Sequence, residues 1–244
     1  MSAADLDAFV RGIGFRWIRP GQPMTRLQAS LRARLDRTAW PLDLLITRLP
    51  AHGAALRQAL RPVCRVPRMS TFAVASIINR AVAELPEGQA FVNVGVWHGF
   101  SFLAALAGNA GQRCIGVDNF SEFGGPRAAF LPRFERLRGP RHEFHEMDYV
   151  DYFAGRHSGP IGVYLYDGEH SYHNQLKGLE TAERFFAGDC VVLVDDTNEA
   201  DPHRATDDFM AARPGRFRVL LDCRTATNGH PTFWNGLMVL RGTG

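Results

Sequence analysis

Five short runs rich in β-branched and apolar residues constrain this chain more than any other feature. They read AFVNVGV, RCIGVD, EFHEMD, IGVYLYD and CVVLVDD, each ends near a glycine or an acid, and stretches of helical periodicity separate most of them. That alternation is the pattern of stacked βαβ units, so it predicts an α/β fold built on a mainly parallel sheet. The end of the chain departs from the pattern. FRVLLDC and FWNGLMVLRG are joined by the polar loop RTATNGHPT, in which Asn228-Gly229 can supply positive φ. The last two strands therefore read as an antiparallel pair, with the final strand reversed.

The region before this alternation is different. Residues 1–69 contain helix-like segments broken by RPGQP and LPAHG, with Pro62 and Pro67 closing the region. They are expected to form an N-terminal helical extension, serving as a lid or as a contact between copies of the chain in a homo-oligomer, ahead of a domain spanning 70–244. Residues 1–70 hold 12 Arg against 4 acids, a surplus of eight positive charges, and the remaining body is acidic. Nucleic-acid binding would use such a surplus. However, Leu27, Leu31 and Leu35 recur among the arginines at helical spacing, which reads first as an amphipathic helix with a solvated face. No nucleic-acid partner is expected.

A chain of 244 residues, 45% hydrophobic and 22% charged, can bury a full core. No apolar run approaches the roughly 18 residues that cross a bilayer. Asp5 and Asp7 stand where a secretory signal would be basic, so a cytoplasmic protein without membrane attachment is expected. Cys64, Cys114, Cys190 and Cys223 lie far apart in sequence and read as free thiols.

The first five strands finish at Asn93-Val94-Gly95, Asp118, Asp148, Asp167 and Asp195-Asp196. Ligands of open α/β sheets bind beyond the carboxyl ends of the strands, so these residues are expected around one crevice. FVNVGVWHGFSF leads from a strand through Gly95 and Gly99 into a helix. It is not G-x-G-x-x-G, because Trp97 and His98 fill the space between the glycines and would crowd a pyrophosphate. A cofactor without phosphates fits better. Asp118, 23 residues after Gly95, stands where an acid receives ribose hydroxyls, or it is a turn residue.

From about residue 70 onward the chain resembles class I S-adenosylmethionine-dependent methyltransferases, whose sheet is Rossmann-like with a reversed last strand. The segments NVGVWHGFSFLAAL, GVDNF and YDGEHSYHNQLKGLE resemble the branch of macrocin-type sugar O-methyltransferases and cephalosporin-hydroxylase-like proteins. The resemblance implies S-adenosylmethionine as cofactor, with Gly95 and Gly99 at its methionine portion, Asp118 on the ribose and Asp148 beside the adenine. Asn93 stands where many relatives carry an acid. It also implies a small-molecule substrate: a sugar, a polyol or a natural product.

Asp167 closes the fourth strand and Asp195-Asp196 the fifth, so three carboxylates are expected near one another. Close carboxylates are relieved by protonation, by cationic or hydrogen-bonding partners, or by a hard divalent ion. No Arg or Lys lies within seven residues of Asp195 or Asp196, which favours a metal. Metal-dependent catechol-type O-methyltransferases are similar in this respect: their ligand acids are separated by about the 28 residues that separate Asp167 from Asp195. By that resemblance Asp167, Asp195 and Asp196 would bind Mg²⁺, and His170 would stand where those enzymes carry a lysine general base. A histidine serves as a base near neutral pH with little adjustment; its other reading is an ordinary residue at a helix start. The expected reaction is metal-assisted methyl transfer to a substrate hydroxyl. A non-catalytic cofactor-binding protein and a metal-independent methyltransferase are the alternatives.

Overall fold

A computed structural model describes residues 3–50 and 53–244. Its centre is a seven-stranded sheet of β1 (Ala90–Val94), β2 (Arg113–Asp118), β3 (His142–Glu146), β4 (Ile161–Tyr166), β5 (Phe186–Asp195), β6 (Phe217–Cys223) and β7 (Leu237–Gly242). The spatial order is β3-β2-β1-β4-β5-β7-β6. β3, β2, β1, β4 and β5 run parallel; β7 is antiparallel to both β5 and β6, as the sequence pattern predicts. Gly229 in the loop before β7 has φ +70.

Alternation along each strand divides the core into two layers. Phe91, Val163, Leu165 and Leu193 face α5 (Phe72–Ala83) and α6 (Phe100–Leu106), whereas Val92, Tyr164 and Val192 pack with Leu179 and Phe209 on the opposite side. A sheet covered on both faces needs strands apolar on both faces, and every residue of β1 and of β4 is buried. Phe102, Phe130, Phe134 and Phe144 form an aromatic cluster over the β2–β3 side, with Phe130 and Phe144 ring centroids 4.8 Å apart.

The first helix of the alternating region starts at Thr71, whose hydroxyl caps Val74 N–H and also donates to the Thr232 carbonyl at 2.6 Å. Ahead of it lie α1 (Ala3–Gly12), α2 (Arg26–Leu35), α3 (Leu42–Ile46) and α4 (Gly53–Leu60), with a small antiparallel ribbon of Gly14–Phe15 and Thr47–Arg48. Leu6, Val10, Leu44 and Leu60 belong to the same core as Phe72 and Phe91. Buried Asp43 fastens this segment further, accepting from Phe72 N–H at 2.7 Å and pairing with Arg68 at 2.8 Å.

One expectation changes here. The leucines of α2 do not form a buried stripe: Leu27 is 81% exposed and Leu31 44%, and only Leu35 meets an apolar cluster, that of Ile18, Leu42 and Ile46. The helix is held instead by its Thr25 capping box and by Arg32, which donates to the Gly229 carbonyl and lies 5.5 Å from the centre of the Trp234 ring. The four cysteines are free, with Cys64, Cys114 and Cys190 buried. Among the described residues no helix is long and apolar enough to cross a membrane.

Candidate active site

Register brings the predicted residues to one edge. Val94 of β1 pairs with Val117 of β2 and Tyr166 of β4, and Tyr166 pairs with Val194 of β5, so the strands end level with one another. Gly95, Asp118, Asp167 and Asp195 therefore follow at the same height. The β1 loop then turns sharply over the end of β4. Gly95 has φ +80, and a Cβ placed there would lie 1.9 Å from the Asp167 carbonyl oxygen, so no side chain fits.

Several residues expected at the cofactor also hold the local backbone. The Asp118 carboxylate accepts from Val96 N–H at 2.6 Å, Trp97 N–H at 2.7 Å and Phe120 N–H at 2.6 Å, yet it still lines the crevice. Asp148 lines it too, as N-cap of α8 (Tyr149–Gly155), bonded to Val150 N–H at 2.7 Å. Asn93 and Gly99 do not reach the crevice wall. Asn93 is fully buried behind it, where its amide donates to the Gly95 carbonyl at 2.7 Å. Gly99 caps α6 with φ +95 and packs against Phe130, which leaves no room for a Cβ. Both act on the loop's shape from behind.

The crevice measures about 910 Å³. Nine Asp or Glu residues face it, and Arg68 is the only Arg or Lys among the described residues that does. Such a charge distribution favours a cationic ligand over a dinucleotide phosphate. Backbone strain is concentrated here as well. Trp97, Phe120, Phe123, Asp196 and Trp234 all line the crevice with φ between +48 and +55, a conformation disfavoured for any side chain.

The carboxylates lie at the far side. His170 Nε2 stands 3.8 Å from Asp167 Oδ1 and 3.7 Å from Asp196 Oδ2, just ahead of the Ser171 cap of α9 (Tyr172–Glu183). Burial, then the neighbouring Asp196 and Asp118 charges, push the Asp167 carboxyl well above its ordinary range. Asp195 is raised by burial, then by Asp167 and Asp196, and its Oδ1 is buried without a hydrogen-bond partner. Asp196 is raised by burial too, with His170 acting against the rise. No guanidinium or ammonium pairs with any of the three among the described residues.

A formed magnesium centre is not shown. Among the described residues no three His, Cys, Asp or Glu side chains gather as a ligand shell. The carboxylates repel one another, and the His170 imidazole stands between two of them. The donor chemistry itself still suits a hard cation, because the uncompensated oxygens, including the orphaned Asp195 Oδ1, are the type it takes.

Parts of the site come from segments with no motif. Arg68, Met69 and Ser70 enter from the junction before α5, and Trp234 and Asn235 from the loop before β7. The glycine-rich NFSEFGGPR segment contributes Phe120 and Phe123. His230 is buried away from the site, bonded to Thr232 and the Gln22 carbonyl, and His203 pairs with Asp207 and Asp222.

Comparison with known proteins accords with this geometry. Residues 92–197, the segment from β1 through the β5 carboxylates, match a family described as a methyltransferase domain. The chain is similar in fold to an SAH-bound methyltransferase of Podospora anserina, with TM-score 0.56, 14% identity and coverage of 93% of this chain and 100% of that one. An O-methyltransferase of Bacillus cereus in complex with SAH gives TM-score 0.53 and 14% identity over 78% of this chain and 91% of its own. A putative O-methyltransferase of Klebsiella pneumoniae gives 0.55 and 12% over 90% and 97%. No curated protein matches the sequence. The chain thus has the Rossmann-like fold of these methyltransferases, and its residues 92–197 match a methyltransferase domain.

Proposed function

We propose that the protein is an S-adenosylmethionine-dependent O-methyltransferase of the macrocin-type branch, acting in the cytosol on a hydroxyl of a small molecule such as a sugar, polyol or natural product. The observation that carries this reading is the crevice itself, acid-lined and closed in by Gly95, at the strand ends of the segment that matches methyltransferase domains. S-adenosylmethionine, when bound, supplies a methyl group made electrophilic by its sulfonium. The acidic lining favours that cation, and Asp118 and Asp148 line the crevice where ribose and adenine would lie.

His170 takes the acceptor's proton in this reading. Its Nε2 faces the two carboxylates, which stabilise the imidazolium as the acceptor oxygen gains its methyl group. Asp167, Asp195 and Asp196 would hold Mg²⁺, which when bound lowers the acceptor hydroxyl's pKa as a Lewis acid. The metal-independent alternative is favoured by one observation, the absence of a gathered ligand shell among the described residues. Methyl transfer from labelled S-adenosylmethionine to a panel of polyols, sugars and catechols, with and without EDTA, tests both. Transfer by wild type that is lost in Asp167→Ala supports the assignment, and its persistence in excess EDTA selects the metal-independent form. Absence of transfer to every acceptor, despite cofactor binding, would favour a non-catalytic binding protein.

A further inference from the structure

A second cavity of about 630 Å³ adjoins the crevice, and the two share three wall residues: Arg68, Ser70 and Trp234. Its charge is opposite. Arg32, Arg37, Arg65 and Arg68 line it against Asp36 and Asp43 only. Arg32 and Arg68 meet those two acids, Arg32 to Asp36 at 3.3 Å and Arg68 to Asp43 at 2.8 Å, whereas no side-chain acid bonds Arg37 or Arg65 among the described contacts.

The shared wall is itself prepared for a ligand. Among the described residues Arg68 Nη1 and Ser70 Oγ are buried without a hydrogen-bond partner, although Arg68 Nη2 is satisfied and its guanidinium lies over Phe100, 5.0 Å from the ring centre. Buried donors of this kind are left open at a cost unless something accepts from them. Trp234, held at φ +55, forms the rest of the wall, with Arg32 beside its ring. An acid crevice and a basic cavity meeting at two unsatisfied donors can hold one molecule with two differently charged ends.

We infer that the acceptor is an anionic hydroxy compound, whose hydroxyl enters the carboxylate crevice while its carboxylate or phosphate reaches past Arg68 and Ser70 into the arginine cavity. This deepens the methyltransferase reading and rests on it for the hydroxyl end alone. Planar guanidinium groups bind carboxylate and phosphate through paired charge-assisted hydrogen bonds. The cavity's excess of two arginines over acids suits such a group better than an amide or alcohol.

The test is calorimetric binding of paired probes, with and without S-adenosylhomocysteine: 3,4-dihydroxybenzoate against 3,4-dihydroxybenzamide, glucuronate against glucuronamide, and glucose 6-phosphate against glucose. Wild type, the double variant Arg37→Ala/Arg65→Ala and Arg68→Gln are compared. The first variant changes only cavity-lining side chains without acid partners, so it is expected to fold. At least one anion is expected to bind about tenfold more tightly than its neutral partner, as a charge-assisted contact would give, with the preference lost in both variants. Preference within the carboxylate pairs or within the phosphate pair identifies the group. Equal binding of anion and neutral partner throughout, or a preference that survives both variants, overturns the inference. Methyl transfer to the preferred anion is read separately. Selective binding without transfer keeps the arginine cavity and counts against the methyltransferase reading, whereas transfer to neutral acceptors alone keeps that reading and sinks the cavity's role.

Discussion

Gly95 and Asp167 touch through their backbones: a Cβ on Gly95 would lie 1.9 Å from the Asp167 carbonyl oxygen, and Asp167 N–H donates to the Val94 carbonyl at 2.8 Å. The loop after β1 and the carboxylate end of β4 are thus one rigid unit. Gly95→Ala must shift one against the other, in addition to adopting positive φ at about 1–2 kcal/mol. Chemical denaturation is expected to show a loss of about 2 kcal/mol or more, accompanied by loss of cofactor binding. A variant with wild-type stability and binding would contradict the contact.

The crowded carboxylates give the unliganded protein a pH dependence of known sign. Asp167, Asp195 and Asp196 have folded pKa values above the ordinary 3.8, so between the two values the folded state binds more protons than the unfolded chain. Their contribution to stability therefore falls as pH rises from about 4 through the raised values. Asp195→Asn is expected to raise the Tm at pH 8 by about 2–4 °C, the equivalent of roughly 1 kcal/mol, and to abolish turnover. An unchanged or lower Tm would show that the repulsion is relieved elsewhere.

The proposed Mg²⁺ site at the same cluster has its own signature. Cations bind ionised carboxylates and compete with protons, so the Tm gain from Mg²⁺ should be larger at pH 8 than at pH 5 and should vanish in Asp195→Asn. No gain at either pH would remove the metal.

His170 affects chemistry rather than cofactor binding in this account. Its replacement by Ala is expected to lower turnover about 10²–10⁴-fold, the usual worth of a general base, with the dissociation constant of S-adenosylmethionine unaltered. Loss of cofactor affinity without a turnover defect at saturation would make it a binding residue.

A separate titration lies far from the site. His157 is buried against Tyr152, whose hydroxyl lies 2.9 Å from Nδ1, and its Nε2 is 3.1 Å from the Gly159 carbonyl. Burial lowers its pKa from 6.5 to about 4. The unfolded chain therefore takes up this proton first, and stability is lost as pH falls from 6.5 towards 4. His157→Gln should flatten that acid limb in pH-dependent denaturation; an identical slope would refute the assignment.

Much of this was legible because strands and their ends follow local rules. The short runs between helical stretches matched all seven strands of the main sheet, although HEFHE of β3 is mostly polar, and the register of β4 on β5 brings Asp167 level with Asp195. What escaped depends on three-dimensional routing. Arg68 and Trp234 lie 166 positions apart and both line the wall; Thr71, three residues after the one, hydrogen-bonds Thr232, two residues before the other. Asn93 was readable as a strand-end polar residue, but its burial followed from strand alternation and the turn at Gly95 together. The α2 leucines show the converse: of the periodic Leu27, Leu31 and Leu35, only Leu35 meets an apolar cluster, and the first two stay exposed.

The acid-lined crevice at the strand ends is proposed to take a cationic methyl donor. Parallel calorimetric titrations with S-adenosylmethionine and NADPH test it most directly. Saturation of one site by S-adenosylmethionine, with only dilution heat from NADPH, is the predicted result. Saturable NADPH binding, or no binding of S-adenosylmethionine, would contradict it.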